Sequence, residues 1–235
     1  MLKTAIVLAG GNGIRLMPLT QDIPKPMVKV AGKPMIEWIV EWLAENGIKK
    51  VVIGVDYKKE ALYEHFKNYK NKEIEIVFND HGGATGTGDA FRKAIENHKV
   101  TDDDFIAMNG DELTDLSLKS LQGFHKLHKP TVSLVACPLP SPYGVLDIGD
   151  NFTITAFREK PILTSHLINS GIYIFNKRII PLLPEKGNIE QTTFVDLAKN
   201  GQLKAYQHFG FWRTLDNLKD LEELEGKYKE FFEGR

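Results

Sequence analysis

The stretch TAIVLAGGNGIRLMPLT, residues 4–20, decides how the chain is read. An apolar run from Thr4 to Leu8 empties into a loop holding Gly10, Gly11 and Gly13. A buried strand ending in glycines lets backbone N–H groups approach an anion closely. Two familiar phosphate loops fail to fit. The dinucleotide fingerprint needs a third glycine, and here Ile14, Arg15 and Leu16 follow Gly13. The P-loop needs a glycine followed by Lys and then Ser or Thr, which is also missing. Pro18 would break a helix that began there. What remains is a long polar loop reaching Pro34, with Arg15 able to fork onto phosphate oxygens. Lys25 stands between Pro24 and Pro26, whose rings fix φ on either side and aim it.

Outward from this loop, apolar runs alternate with amphipathic segments. Residues 34–46 carry apolar side chains at 35, 36, 39, 40 and 43, a helical spacing closed by Gly47. KKVVIGV predicts a second strand, 58–69 a helix, EIEIVF a strand and 89–98 a helix. FIAMNGD predicts a strand that ends in an acidic loop, followed by a helix over 116–128 and the strand TVSLVAC. This rhythm predicts a mostly parallel sheet with helices on both faces. After Pro138 it changes. YGVLDIGDNFTITAFREK reads as two short strands around Gly149–Asp150–Asn151, and NSGIYIF as another. Helical patterns at 177–183 and 190–199, the strand LKAYQHF and a long polar helix over 218–233 close the chain. The expectation is one continuous domain over 1–235: a first part to 137, an inserted strand-rich lobe over 138–190, and a closing part over 191–235.

Composition narrows the function classes. With 30 basic and 31 acidic residues the net charge is −1, so no global positive field draws a nucleic-acid polymer. The single cysteine, Cys137, excludes an intrachain disulfide and a multi-cysteine zinc site. The first apolar run is too short for a signal peptide, and no run is long enough to span a membrane, so a cytoplasmic protein is expected.

The unbroken run LAGGNGIRLMPLTQDIPKPMVKVAGKPMIE, residues 8–37, resembles the signature of the sugar-1-phosphate nucleotidylyltransferases, the nucleotide-sugar pyrophosphorylases. The resemblance implies a three-layer α/β/α Rossmann-like fold with a mixed, mostly parallel sheet. It implies an enzyme that joins a nucleoside triphosphate to a sugar 1-phosphate and releases pyrophosphate, with Mg²⁺ as cofactor. Attack on the α-phosphorus is in line and needs no general base, because the attacking phosphate is already ionised. The barrier is the meeting of two polyanions, so positioning and charge neutralisation are the expected means.

The resemblance carries over position by position. Leu8, Ala9, Gly10, Gly11 and Gly13 match the loop that wraps the nucleotide. Arg15 matches the arginine on the triphosphate, and Lys25 the lysine that bridges the reacting phosphates. GGATGTGDA resembles the segment that reads the base, with Gly82, Thr85, Gly86 and Thr87 in it. Asp111, in MNGDELTDL, matches the carboxylate that holds the metal; its neighbours Glu112 and Asp115 read as loop or cap residues. On the sugar side, Gly144, the EKP pair Glu159 and Lys160, and Asn169 and Gly171 with Tyr173 match residues around the sugar and its phosphate.

One departure concerns the second metal carboxylate, which many relatives place two residues after a Trp; here Thr214 holds that position. GFWRTLDNLKD instead resembles the glucose-1-phosphate cytidylyltransferase branch, making Asp216 the candidate, although LMPLT looks like other branches. Thr214 also motivates a second reading, a catalytically inactive nucleotide-binding regulatory subunit. A dehydrogenase rests on fold rhythm alone. His125 and His128, three apart, read as surface helix residues, and His81 as a neighbour of the base segment. Trp38 and Trp42 read as one packing face. The polar closing helix leaves a homo-oligomer open.

Overall fold

The computed structural model describes residues 2–69, 71 and 73–233. The chain opens with β1 (Thr4–Leu8), two 3₁₀ turns (Ile14–Leu16 and Lys25–Met27), and the short ladder of β2 (Lys29–Val30) and β3 (Lys33–Pro34). It continues with α1 (Met35–Glu45), β4 (Lys50–Val55), α2 (Lys59–Lys67), β5 (Glu75–Asp80) and α3 (Thr87–Asn97). Next come β6 (Asp104–Asn109), β7 (Glu112–Thr114), α4 (Leu118–His128) and β8 (Val132–Pro140). The hairpin of β9 (Val145–Ile148) and β10 (Ile154–Arg158) leads to β11 (Ile162–Asn176). The last elements are α5 (Thr193–Lys199), β12 (Leu203–Gln207), β13 (Trp212–Thr214), α6 (Leu218–Glu225) and α7 (Lys229–Glu233).

Seven strands form the central sheet, in the order β12-β8-β11-β6-β1-β4-β5. Neighbours pair in parallel everywhere except at β11, which runs antiparallel to both β6 and β8. The strands alternate their burial between two helical layers, as a period of two requires. Ala5, Val7, Val51, Ile53, Ile106 and Met108 pack toward the side that holds α1, α2 and α4. Ile6, Val52, Phe105 and Ala107 face the other side, with Phe91 of α3 and Phe194 of α5. The mixed, mostly parallel three-layer arrangement is the one expected.

Helix α1 forms where its apolar stripe demands it, with Ile36, Ile39, Val40 and Leu43 buried. Trp38 and Trp42 lie on its packing face, and each indole N–H finds a carbonyl, Val30 O at 2.9 Å and Leu116 O at 3.1 Å. Buried aromatics of this kind keep their one polar atom satisfied.

Several boundaries differ from expectation. The 177–183 segment is a 3₁₀ helix, Lys177–Leu182, because Pro181 cannot donate to an α-helical ladder. The single closing helix is two, since α6 ends at Gly226 and the chain restarts at Lys229. The strand expected over 169–175 is only the inner part of β11, which begins at Ile162. No helix among the described residues is long and apolar enough to cross a membrane.

The parallel strands β1, β4, β5 and β6 deliver their carboxyl ends to one rim. The loops beyond them, starting at Ala9, Asp56, His81 and Gly110, therefore meet there, where ligands of open α/β sheets bind.

Candidate active site

The rim is built by close backbone approach. Gly110 N donates to Leu8 O at 2.7 Å, and a side chain at 110 would stand 2.6 Å from that oxygen. Ala9 N donates to Gly54 O at 2.7 Å, locking the first loop to the neighbouring strand. Gly13 takes a left-handed φ of 62°, and its carbonyl accepts from the Thr20 hydroxyl at 2.8 Å. A Cβ at 13 would press within 3.0 Å of Lys25 Cβ, so this glycine shapes the loop and leaves room for the lysine. Lys25 begins its 3₁₀ turn after Pro24, at φ −72°, and its N–H reaches Gly11 O at 3.4 Å.

Two carboxylates converge on Lys25. Its buried Nζ donates to Asp111 Oδ2 and, at 2.8 Å, to Asp216 Oδ1. The meeting of residues 111 and 216, distant in sequence, follows from a small ladder. β7 pairs antiparallel with β13, Glu112 opposite Thr214, and Leu215 N donates to Asp111 O at 3.3 Å. Asp216 N in turn donates to Asp220 Oδ2 at 2.7 Å, within the capping box with which Asn217 and Asp220 start α6. Burial pulls the Lys25 pKa down, but Asp111 and Asp216 outweigh it, so the ammonium is held charged with its pKa raised. Arg15 Nη2 reaches the same Asp216 oxygen at 3.0 Å, from a side chain 72% exposed. At that exposure solvent weakens the pair.

Above this cluster opens a cavity of about 430 Å³. Leu8, Gly10, Gly11, Lys25, Asp111, Thr85 and Gly86 line it, so both glycine segments meet in one space. Ala9, Gly13 and Arg15 do not face it; Ala9 is buried beneath. The second segment is clamped from outside. Gly187 N donates to Thr85 Oγ1 at 3.0 Å, Thr87 Oγ1 to Glu190 at 2.6 Å, and Gly88 N to Gly187 O at 3.0 Å. A Cβ at Gly86 would lie 2.3 Å from Gly187 C, so this residue serves a tight contact as well as the cavity wall.

A model of the nucleotidyl transferase family matches residues 4–230. The chain belongs to that family. It is 33% identical to glucose-1-phosphate cytidylyltransferase of Salmonella typhimurium, across 96% of this chain and 95% of that one. It is 35% identical to mannose-1-phosphate guanyltransferase of Saccharomyces cerevisiae, across 92% of this chain and 62% of that protein. HddC from Yersinia pseudotuberculosis, solved with GMP-PN, superposes with a TM-score of 0.75 at 26% identity, over 97% of this chain and all of that one. A UDP-glucose pyrophosphorylase solved with UDP-glucose shares the fold at a TM-score of 0.75 and 21% identity, over 98% of this chain and all of that one. The protein is thus a nucleotidyltransferase of the kind that makes nucleotide sugars from a nucleoside triphosphate and a sugar 1-phosphate.

In this nucleotidyltransferase the donor set suits a divalent ion. Asp111 and Asp216 offer hard carboxylate oxygens at one point, and such ions take one or two carboxylates with substrate oxygens and water. Among the described residues no group of three or more His, Cys, Asp or Glu forms a closed cage.

The sugar-side residues divide. Gly171 packs against Asn109 and Glu112: its N donates to Asn169 Oδ1 at 3.0 Å, and a Cβ at Gly171, φ 76°, would stand 2.5 Å from Asn109 Nδ2. Tyr173, expected to border the sugar, is fully buried, and its hydroxyl accepts from Asn169 Nδ2 at 2.9 Å. It braces Asn169 instead. Gly144, Glu159 and Lys160 stand on the outer lobe, away from the cavity wall. A Cβ at Gly144 would sit 3.1 Å from Glu159 Oε2. Lys160 pairs with Glu159 at 3.6 Å and adjoins Lys219 of α6.

Two assignments change, those of Glu112 and His125. Glu112 is not a loop or cap residue: it opens β7, is buried, and has no hydrogen-bond partner for Oε2. Burial first, then the Asp111 charge, drives its pKa well above the usual carboxylate range. His125 is not on the surface. It is buried, with Nδ1 2.8 Å from Ser133 Oγ and Nε2 3.3 Å from Asp104 Oδ1. His81 is a buried wall of the cavity. Asp56, Asn109 and Asn188 also line the cavity and escaped the sequence reading, because they stand just past β4, at the end of β6 and before a 3₁₀ turn, positions that no shared residue pattern marks.

Proposed function

We propose that this protein transfers a nucleotidyl group by in-line attack, with Lys25 and Arg15 as its catalytic cations. A sugar-phosphate oxygen bonds to the α-phosphorus of the triphosphate while the bond to the β-phosphate breaks, and pyrophosphate leaves. The observation that carries this reading is the convergence of Lys25, Asp111 and Asp216 at the mouth of the glycine loop. Gly10 and Gly11 offer backbone room for the triphosphate. Lys25, kept charged, lies where negative charge accumulates between attacking and leaving oxygens. Arg15, long and 72% exposed, can exchange its solvent-weakened pair with Asp216 for the leaving pyrophosphate.

Mg²⁺ is the ion proposed for Asp111 and Asp216, and when bound it would neutralise phosphate charge and orient the α-phosphate. Thr85 and Gly86 face the base, while Gly144, Glu159, Lys160, Asn169 and Gly171 take the sugar 1-phosphate. Residues 1–137, 138–190 and 191–235 serve as nucleotide part, sugar lobe and closing part of one catalytic unit, placed in the cytoplasm. The inactive-subunit reading rested on Thr214; that Asp216 brings a carboxylate to Lys25 speaks against it.

The test is pyrophosphate release with Mg²⁺ from CTP, dTTP, UTP, GTP or ATP, each paired with glucose 1-phosphate, mannose 1-phosphate and related sugar phosphates. Turnover confined to one pairing is the expected result. Triphosphate binding without turnover in every pairing would return the inactive-subunit reading.

A further inference from the structure

The relatives named above use different bases, and the cavity contains a group suited to choosing one. Asp56 follows the last residue of β4 and lines the cavity, exposed. It has no hydrogen bond or ion pair among the described residues, and the lysines that follow it or touch His81 are engaged elsewhere. Lys58 Nζ goes to Gln21 O and to Asp22 at 3.7 Å, Lys59 to Asp80, and Lys93 to His81 O at 2.7 Å. The neighbouring His81 supplies no charge either. Its Nδ1 lies 3.3 Å from the Asn79 amide nitrogen, and burial holds its pKa below the ordinary value. An unpaired carboxylate in the pocket of a polyanion repels phosphate and only accepts hydrogen bonds.

Position along the rim says which part of the nucleotide it meets. The triphosphate end is set toward β6, through Gly11, Lys25 and Asp111. Asp56 and His81 stand beyond β4 and β5, on the other side of β1. β4 is two strands from β6, about 10 Å at the usual spacing. That is on the order of the distance from an α-phosphate across the ribose to a base edge. Gly54 and Gly10 let His81 and Asp56 sit close to the rim backbone: a Cβ at 54 would lie 2.2 Å from His81 Nε2, and one at 10 would lie 3.1 Å from Asp56 Cβ.

Resting on the nucleotidyltransferase reading, we propose that Asp56 recognises the base of GTP, its two oxygens accepting from guanine N1–H and N2–H. Guanine alone among the five bases offers a carboxylate two adjacent donors. Cytosine and adenine offer one amino group beside a ring acceptor. Uracil and thymine offer one N–H between two carbonyls. The same logic of paired acceptors and donors governs base reading elsewhere.

The experiment compares kcat/KM and calorimetric Kd for GTP, ITP, CTP, UTP, dTTP and ATP in the wild type, Asp56→Ala and Asp56→Asn, with Mg²⁺. GTP is expected to lead, and ITP, lacking the N2 amine, to fall about 10- to 100-fold. Asp56→Ala should remove most of the GTP preference while changing the other triphosphates little, and Asp56→Asn, shape-conserving, should do the same. A wild-type preference for another base, equal use of ITP and GTP, or a uniform loss for every triphosphate would overturn the proposal; the last would place Asp56 on the ribose. Calorimetry reads the base even where no sugar phosphate offered is accepted. Failure to bind any triphosphate would sink the nucleotidyltransferase reading itself, whereas tight binding of CTP alone would sink only the role of Asp56.

Discussion

At the residue scale the site is a small electrostatic device. Lys25, Asp111 and Asp216 hold one another in place, and their removal should separate binding from chemistry. Lys25→Ala is expected to lower kcat by about 10²- to 10³-fold while triphosphate Kd moves far less; steady-state rates beside calorimetry check this. Asp111→Asn should leave a folded protein whose rate no longer responds to added Mg²⁺. The sequence offered Lys25 and Asp111 as candidates because both sit in quotable motifs, and the fold brings the two side chains together. It left Asp216 in doubt, because Thr214 held the familiar position and only the β7–β13 ladder brings residue 216 to residue 111. Glu112 was misread for a related reason: acidic residues after a strand usually reach solvent, and this one turns inward beside Asn109 and Gly171.

At the scale of elements, the loop that carries Asp216 is positioned by the start of α6. Asn217 caps the helix, and Asp220 accepts from the backbone of both Asp216 and Asn217 at 2.7 and 3.0 Å. Asp220→Ala should therefore cost about 1 kcal/mol of stability, the usual worth of a cap. It should also raise the Mg²⁺ concentration needed for half-maximal rate, a change that a remote cap would not produce. Denaturant unfolding and a metal titration read the two effects separately. Periodicity exposed the long elements such as α1 and β1. It failed at the end of the chain, where apolar residues recur on both sides of Gly226, Leu221 and Leu224 before it and Phe231 and Phe232 after it, so the pattern ran straight across the break.

Across the whole molecule, the two helical layers clamp a sheet whose buried polar groups set its response to acid. His125 bridges α4 to β8 and β6 through Ser133 and Asp104. A neutral ring satisfies both bonds, with Nδ1 accepting from the hydroxyl and Nε2–H donating to the carboxylate. Burial, opposed by Asp104, leaves its pKa lowered. Beside it in space stand Arg178, whose charge also lowers the pKa, and Lys129, whose carbonyl accepts from Arg178. Because the unfolded ring takes a proton near pH 6.5 and the folded one resists it, stability should be whole above that pH and fall below it. The loss has a ceiling of about 1.4 kcal/mol per pH unit for this group. Melting temperatures at pH 7.5 and 5.5 should converge between wild type and His125→Gln as the pH drops; parallel curves would remove His125 from the acid response. The fold class was legible because alternating strands and helices leave few topologies. The antiparallel β11 was not, since nothing in NSGIYIF records its direction.

That strand has a mechanical consequence. β11 is a single 15-residue beam, its outer end among the lobe residues near Glu159 and its inner end locked between β6 and β8. Its pairing with β8 slips at two places, between Leu163 and Leu167 and between Asn169 and Tyr173. Those slips are where a beam gives. Any bending of the lobe end of the beam relative to the sheet is therefore expected at these two slips, the inner of which spans Gly171 at φ 76°.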